Sequence, residues 1–189
     1  MKTTDKKFLY IMLFLLELAL VIIAFVLTLF AKTRFASLFS FHSPALALFI
    51  IITAGAGAAV LISLLVVKLS VFSPVYDLLK QLVAGFKLSI ADAFVIALTA
   101  GICEEILFRA VLQPMWGIWI TSFVFILLHG YFNPLNWRMS LFGLLMFCLS
   151  LAIGFVYMNY GLIPAMALHF TYDFTALTII KTLNKNAAA

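Results

Sequence analysis

Long apolar segments alternate with short polar connections along almost the whole chain. Each apolar segment has about 17–25 residues, the length that an α-helix needs to cross a hydrocarbon core of about 30 Å. The pattern predicts six membrane-spanning helices, at residues 8–31, 44–67, 90–114, 116–132, 137–160 and 162–180. The first segment is too long for the apolar core of a signal peptide, so we interpret it as a retained helix.

The second polar connection has a different pattern from the others. Between residues 74 and 87, Val75, Leu78 and Leu82 recur at helical spacing among charged and amide side chains. An amphipathic segment of this kind is typical of a short helix that lies in the membrane interface. The alternative interpretation is a lid over a lateral entrance to the bundle.

The composition supports a membrane protein with a single domain. The chain of 189 residues is 66% hydrophobic and 10% charged, whereas soluble domains average about 45–50% apolar and about 25% charged residues. No polar block is long enough for a soluble domain, so residues 1–189 are predicted to form one membrane-embedded domain. The predicted fold class is an all-α, polytopic membrane helix bundle.

Lysine and arginine residues gather in alternate connections. Nine of them lie in the two tails and in the second and fourth connections, whereas two lie in the first connection and none in the third and fifth. Because cytoplasmic loops carry the excess of basic residues, both termini are predicted to be cytoplasmic. The net charge of +5 therefore reflects topology and gives no indication of nucleic-acid binding. The compact chain fits a bacterial plasma membrane.

Three charged residues lie within six positions of the third apolar segment: Glu104, Glu105 and Arg109. Charges at bilayer depth cost roughly 2.5–3.5 kcal/mol each on insertion scales, so they are usually functional. Glu105 and Arg109 are four residues apart and share a helix face, which predicts an internal ion pair. Glu104 points about 100° away on the same helix. It is therefore predicted to be a free carboxyl group.

Two histidines and an aspartate lie in later apolar segments. His129 lies near the end of the fourth segment, and His169 and Asp173 are four residues apart in the sixth. Polar groups in a bilayer face the bundle interior, so we expect these side chains to converge with Glu104. The alternative for each histidine is a structural hydrogen bond between helices. The third histidine, His42, is interpreted as solvated or interfacial.

This set of side chains is suited to amide hydrolysis. A glutamate with a histidine can deprotonate water as a general base, and a second histidine with a polar neighbour can stabilise an oxyanion. The same residues could instead bind zinc, which accepts histidine and carboxylate ligands. However, no His-Glu-x-x-His motif is present, and three ligands would have to come from three helices.

Other polar or small residues in the apolar segments have simpler interpretations. Glu17 is interpreted as a bundle-facing carboxyl with a helical partner, or alternatively as an accessory proton-handling group. Cys103 and Cys148 are interpreted as packing residues, since a desolvated thiol such as Cys103 resists ionisation and makes a poor nucleophile. Gly55 and Ala59 are predicted to permit close helix packing.

Three motifs stand in order along the chain: Glu104-Glu105-x-x-x-Arg109, Phe125-x-x-x-His129 and His169-x-x-x-Asp173. Together they resemble the motifs of the CPBP family, also called Abi. That family includes endopeptidases that trim prenylated CAAX proteins, and bacterial members linked to bacteriocin processing and self-immunity. The resemblance covers about residues 90–180.

The resemblance implies an intramembrane endopeptidase that acts on a small peptide or a membrane-anchored substrate. By analogy, Glu104 and His129 would activate the water, while His169 and Asp173 would form the oxyanion site. The family motif often ends in Asn where this chain has Asp173, and an ionised Asp cannot donate to an oxyanion. Asp173 is therefore protonated, orients His169, or binds a cation.

The remaining implications concern support residues, cofactors and partners. Glu105 and Arg109 would maintain the architecture of the site, and Ala110 in place of the frequent Gly is a minor packing variation. The resemblance implies a glutamate-dependent mechanism without a cofactor or metal, with a zinc-dependent protease as an alternative. The expected partners are a peptide or membrane-protein substrate and the lipid bilayer, with no nucleic acid. Further alternatives are a non-proteolytic immunity or partner-binding protein, a proton-coupled transporter and a haem protein.

Overall fold

The computed structural model describes residues 6–30, 38–39 and 44–186, with side chains as far as residue 183. Within these ranges the regular elements are helices and no strand occurs, which confirms the all-α prediction. In chain order they are α1 (Lys6–Phe30), α2 (Ala45–Lys68), a 3-10 turn (Ser70–Phe72), α3 (Ser73–Gly85), α4 (Ile90–Glu105), a π-helix (Ile106–Leu112), α5 (Gln113–Leu128), α6 (Trp137–Tyr160) and α7 (Leu162–Asn186). His42 and residues 187–189 lie outside the described residues.

Five helical segments of the described chain are long and apolar enough to cross a membrane: α1, α2, the continuous run Ile90–Leu128, α6 and Leu162–Leu183 of α7. Large apolar side chains on their outer faces are exposed, among them Phe14 on α1, Phe49 on α2 and Leu144 on α6. Such extensive exposed apolar surface requires a non-aqueous environment. The protein is therefore a multi-pass membrane protein.

The run Ile90–Leu128 supplies two of the predicted spans. A straight helix of this length would extend about 58 Å, almost twice the thickness of a hydrocarbon core. However, Arg109 Nη1 lies 3.2 Å from Ser122 Oγ, and a straight helix would separate these residues by about 20 Å. The chain therefore reverses between them, at Gly117, which has φ 76° and ψ 164°.

The position of this reversal differs from the sequence prediction, which placed the break between Pro114 and Trp116. Pro114 lies in the first turn of α5, where its missing N–H is tolerated. Gly117 has a positive φ, a conformation that glycine adopts without steric cost. The first residues of α5 therefore continue the first arm, and the second arm begins after Gly117.

A π-helix, Ile106–Leu112, lies between α4 and α5 and was not predicted. All seven of its residues are buried. The wider π turn is rare and often occurs at functional sites. Here it carries Arg109 into the centre of the bundle, close to the residues of α5 that follow the reversal.

Helix α7 packs closely between α2 and α4. A Cβ atom added to Gly55 of α2 would lie 2.8 Å from the carbonyl oxygen of Leu168, and one added to Gly101 of α4 would lie 3.0 Å from the backbone nitrogen of Phe170. The predicted close packing at Gly55 and Ala59 is confirmed, since Ala59 is also fully buried. These contacts fix α7 on both sides of residue 169.

The predicted amphipathic helix is α3, with Val75 and Val83 buried on one face. Leu79 of this helix reaches the central cavity described below. At the same side of the bundle, Lys6 Nζ and Tyr10 Oη of α1 each lie 2.5 Å from a carboxylate oxygen of Asp92 in the first turn of α4. This network attaches α1 to α4.

Candidate active site

Helices α3 to α7 and the segment after α5 surround one cavity of about 250 Å³. Most of its wall is apolar. Its ionisable and hydroxyl-bearing lining residues are Glu104, His129, Tyr131, Ser150, His169, Tyr172 and Asp173. Glu104, His129, His169 and Asp173, the four residues with a predicted catalytic role, therefore line one cavity. This agrees with the expectation that polar groups in a bilayer face the bundle interior.

The exposed fractions of four lining side chains show which end of the cavity is open. The side chains of His169 and Glu104 are 8% and 12% exposed, whereas those of Asp173 and His129 are 30% and 31% exposed. The cavity therefore opens at the end where His129 and Asp173 lie. Glu104 and His169 are at the closed end.

Glu104 faces both histidines without a direct hydrogen bond to either. Its Oε1 lies 3.8 Å from His129 Nε2, and its Oε2 lies 3.8 Å from His169 Nε2. Hydrogen bonds between N and O span about 2.7–3.2 Å, so these gaps are too wide for one. Within the described part of the chain, Glu104 Oε2 has no hydrogen-bond partner at all. This spacing suits a bridging water molecule.

The geometry of His129 determines which ring nitrogen can accept a proton. Its Nδ1 lies 2.7 Å from the carbonyl oxygen of Phe125. Because a carbonyl only accepts, Nδ1 carries the proton and Nε2 presents a lone pair to Glu104. His129 directly follows the membrane-spanning run, and burial lowers its pKa. The neutral form, which can act as a base, is therefore favoured.

His169 is positioned by Glu105. The Nδ1 atom of His169 lies 2.8 Å from Glu105 Oε1 and donates to it. This contact turns Nε2 into the cavity, 3.4 Å from Asp173 Oδ2. His169 and Asp173 therefore face the same cavity, and His169 also has a long-range partner that the sequence did not indicate.

The predicted ion pair between Glu105 and Arg109 forms behind the cavity wall. Arg109 Nε donates to Glu105 Oε2 at 3.0 Å, and both side chains are fully buried. Glu105 therefore binds Arg109 with one oxygen and His169 with the other. Charges buried this deeply are tolerated only when they are paired and hydrogen-bonded.

Three further side chains complete the shell around Arg109, and sequence analysis missed them. Arg109 donates through Nη1 to Gln113 Oε1 and Ser122 Oγ, each at 3.2 Å, and through Nη2 to Ser150 Oγ at 2.7 Å. Gln113 in turn donates to the carbonyl oxygen of Gly154 at 3.0 Å. Of the three, only Gln113 could have been recognised from the sequence, because it follows Arg109 by four residues and so shares its helix face.

Tyr131 is another lining residue that the sequence analysis did not select. Its ring stacks on that of His129, with centroids 5.7 Å apart and an interplanar angle of 24°. Tyr131 lies in the connection after α5, and burial raises its pKa to about 12. Its phenol therefore remains protonated at neutral pH.

The residues offer no ready-made metal site. Among the described residues, no group of three or more His, Cys, Asp or Glu side chains is arranged to hold a metal ion. Zinc requires ligands at about 2.0–2.3 Å in a tetrahedral arrangement. Glu104, His129 and His169 do not form such a group in this arrangement.

Glu17 lies outside the cavity lining. It is buried within the bundle and faces Cys103 of α4. Its bundle-facing position matches the prediction, but neither carboxyl oxygen has a hydrogen-bond partner in the described chain. Cys103 is partly buried, Cys148 is exposed, and both are free thiols.

One known protein family matches a region of the chain that contains the site residues. Residues 85–175 match the Rce1-like family model, described as type II CAAX prenyl endopeptidase Rce1-like. The matched region contains all three motifs, from Glu104 to Asp173. No curated protein and no solved structure matches the chain.

Proposed function

Residues 85–175 of this chain belong to the Rce1-like family of type II CAAX prenyl endopeptidases, and from this we propose that the protein hydrolyses a peptide bond with a water activated by Glu104 and His129. The match supports a CAAX-type intramembrane endopeptidase activity in general. The observation that carries the proposal is the pair of 3.8 Å gaps between Glu104 and the two histidine Nε2 atoms.

In the proposed first step, a water molecule occupies the gap between Glu104 Oε1 and His129 Nε2. Both atoms can accept a hydrogen bond, since Nδ1 of His129 is already committed to the Phe125 carbonyl. Removal of one proton by this pair leaves a hydroxide that attacks the substrate carbonyl carbon. The C=O electron pair moves to oxygen and forms a tetrahedral oxyanion.

In the second step, the oxyanion collapses and the C–N bond breaks. The proton taken from water passes to the leaving nitrogen, so that atoms and charge balance. His169 lies at the closed end of the cavity and is held through Nδ1 by Glu105. When Nε2 also carries a proton, it can donate to the oxyanion.

The apolar wall of the cavity suits a membrane-anchored substrate. A second cavity of about 50 Å³ is lined mainly by apolar side chains and shares five lining residues with the first: Leu79, Phe142, Tyr172, Ala176 and Leu177. Together they offer an apolar surface that reaches the catalytic carboxyl from within the bundle. We propose a prenylated or otherwise lipid-anchored peptide as substrate, cleaved near its anchor.

The test uses the full-length protein in proteoliposomes. The probe is a quenched fluorescent peptide with a farnesylated cysteine followed by three residues. Glu104→Gln should lower kcat by at least about 10²-fold, the usual contribution of a general base. Glu17→Gln is the matched control, a buried glutamate outside the cavity, and should cleave like the unaltered protein. Wild-type cleavage by Glu104→Gln would refute the proposed mechanism.

A further inference from the structure

The proposed oxyanion site lacks an obvious neutral donor. His169 Nε2 lies 3.4 Å from Asp173 Oδ2 and 3.8 Å from Glu104 Oε2. An ionised carboxylate only accepts hydrogen bonds, and it repels a developing negative charge. A further donor in the same cavity, one that does not become negatively charged itself, would complete the oxyanion site.

Three hydroxyl groups line the cavity, and two of them are committed elsewhere. Ser150 Oγ accepts from Arg109 at 2.7 Å. Tyr172 Oη lies 3.4 Å from Met146 Sδ and donates to it. In the described part of the structure, the phenol of Tyr131 makes no hydrogen bond, although the Tyr131 side chain lines the same cavity as Glu104 and Asp173.

Tyr131 is held firmly enough to act as a fixed donor. Its ring stacks on the ring of His129 and contacts Phe142 edge-on, with centroids 5.1 Å apart at 89°. Its backbone packs against Gly143, where an added Cβ would lie 3.0 Å from the Tyr131 carbonyl oxygen. Burial and the nearby carboxylates of Asp173 and Glu104 keep its pKa at about 12, so the proton remains on the phenol.

We propose that Tyr131 is a catalytic residue whose phenol O–H donates a hydrogen bond to the carbonyl oxygen of the scissile bond. This inference rests on the proposed hydrolytic function. The hydrogen bond strengthens as the C=O electron pair moves onto oxygen, and Tyr131 keeps its proton throughout. In this chain the phenol supplies the donor that an ionised Asp173 cannot supply.

Tyr131→Phe tests this inference because it removes the hydroxyl group and keeps the ring stack. With the farnesylated probe in proteoliposomes, kcat should fall by about 10²–10³-fold, the usual effect of losing one oxyanion donor. KM should stay unchanged, because the bond strengthens in the transition state. Tyr157→Phe is the matched control, a partly buried tyrosine of α6 outside the cavity lining, and its kcat should stay close to that of the unaltered protein.

A rescue experiment separates catalysis from packing. Asp173→Asn introduces an amide donor at the oxyanion site. In the Tyr131→Phe background, Asp173→Asn should raise kcat by at least about tenfold, which is part of the contribution of one oxyanion donor. A merely structural role for the hydroxyl group gives no such recovery.

The outcomes distinguish this inference from the function on which it rests. If Glu104→Gln is inactive while Tyr131→Phe keeps the kcat of the unaltered protein, the role of Tyr131 is wrong and the hydrolase stands. The proposed role of Tyr131 is also wrong if Tyr131→Phe lowers kcat and the added Asp173→Asn does not restore it. Full cleavage by Glu104→Gln overturns the hydrolytic mechanism itself.

Discussion

His169 Nδ1 lies 2.8 Å from Glu105 Oε1, and the same carboxylate accepts from Arg109 Nε at 3.0 Å through its other oxygen. Glu105 therefore connects the buried guanidinium to the ring at the closed end of the cavity. A residue that the sequence suggested as mere support thus lies in direct contact with a proposed catalytic histidine. Stability and activity should depend together on this link.

Arg109→Ala tests the buried pair. Removal of the guanidinium leaves Glu105 charged and buried without its main partner, which should lower the free energy of unfolding by about 3–5 kcal/mol. Cleavage should fall with it, because Glu105 also orients His169. Denaturant titration of the detergent-solubilised protein measures the first effect. Arg138→Ala, an arginine at the exposed start of α6, is the control and should change stability little.

Gly55→Ala tests the packing that positions His169. The added methyl group would lie 2.8 Å from the carbonyl oxygen of Leu168, and backbone atoms cannot move aside without a shift of α7. Overpacking of this kind costs about 1–3 kcal/mol, and we expect a lower unfolding midpoint with reduced kcat. Gly57→Ala is the control on the same helix, since nothing lies within 4 Å of its added Cβ. Equal effects of the two substitutions would contradict the packing account.

The pH profile tests the role of His129 as a neutral base. Burial lowers its pKa from the usual value of 6.5, so the neutral form predominates at neutral pH. As pH falls through the lowered pKa, Nε2 becomes protonated and the base is lost. The rate kcat/KM should therefore decline on the acid side with a midpoint below 6.5. A midpoint above that value would contradict the assignment.

Membrane topology gives an independent prediction. The distribution of lysine and arginine favours cytoplasmic termini, and an even number of spans is compatible with both on one side. Alkaline phosphatase fused after the last residue should be inactive, whereas a cytoplasmic reporter at the same position should be active. An active phosphatase fusion would reverse the proposed orientation.

Much of the architecture was predictable because membrane helices obey simple length and polarity rules. The apolar segments located the helices, and the four-residue spacing of Glu105 and Arg109 located the ion pair. The convergence of Glu104, His129 and His169 followed from the high energetic cost of polar groups in lipid.

Other features depend on contacts that a sequence does not display. The π-helix Ile106–Leu112 lies in a segment that is apolar on nearly every side, so no periodicity distinguishes it from an α-helix. The sequence offers two residues at which the helix could break, Pro114 and Gly117. Only tertiary packing determines that the chain reverses at Gly117. The contact between Glu105 and His169 joins residues 64 positions apart, a separation at which helical spacing carries no information.

A double-mutant cycle on Glu104 and His129 tests the central claim, that the two side chains activate one shared water. The kcat/KM of Glu104→Gln, His129→Asn and the double variant would be measured with the farnesylated probe. If both residues act on the same water, each single variant loses most of the activity and the double variant is hardly worse than either. Losses that multiply in the double variant, or a single variant with full activity, would contradict the shared water.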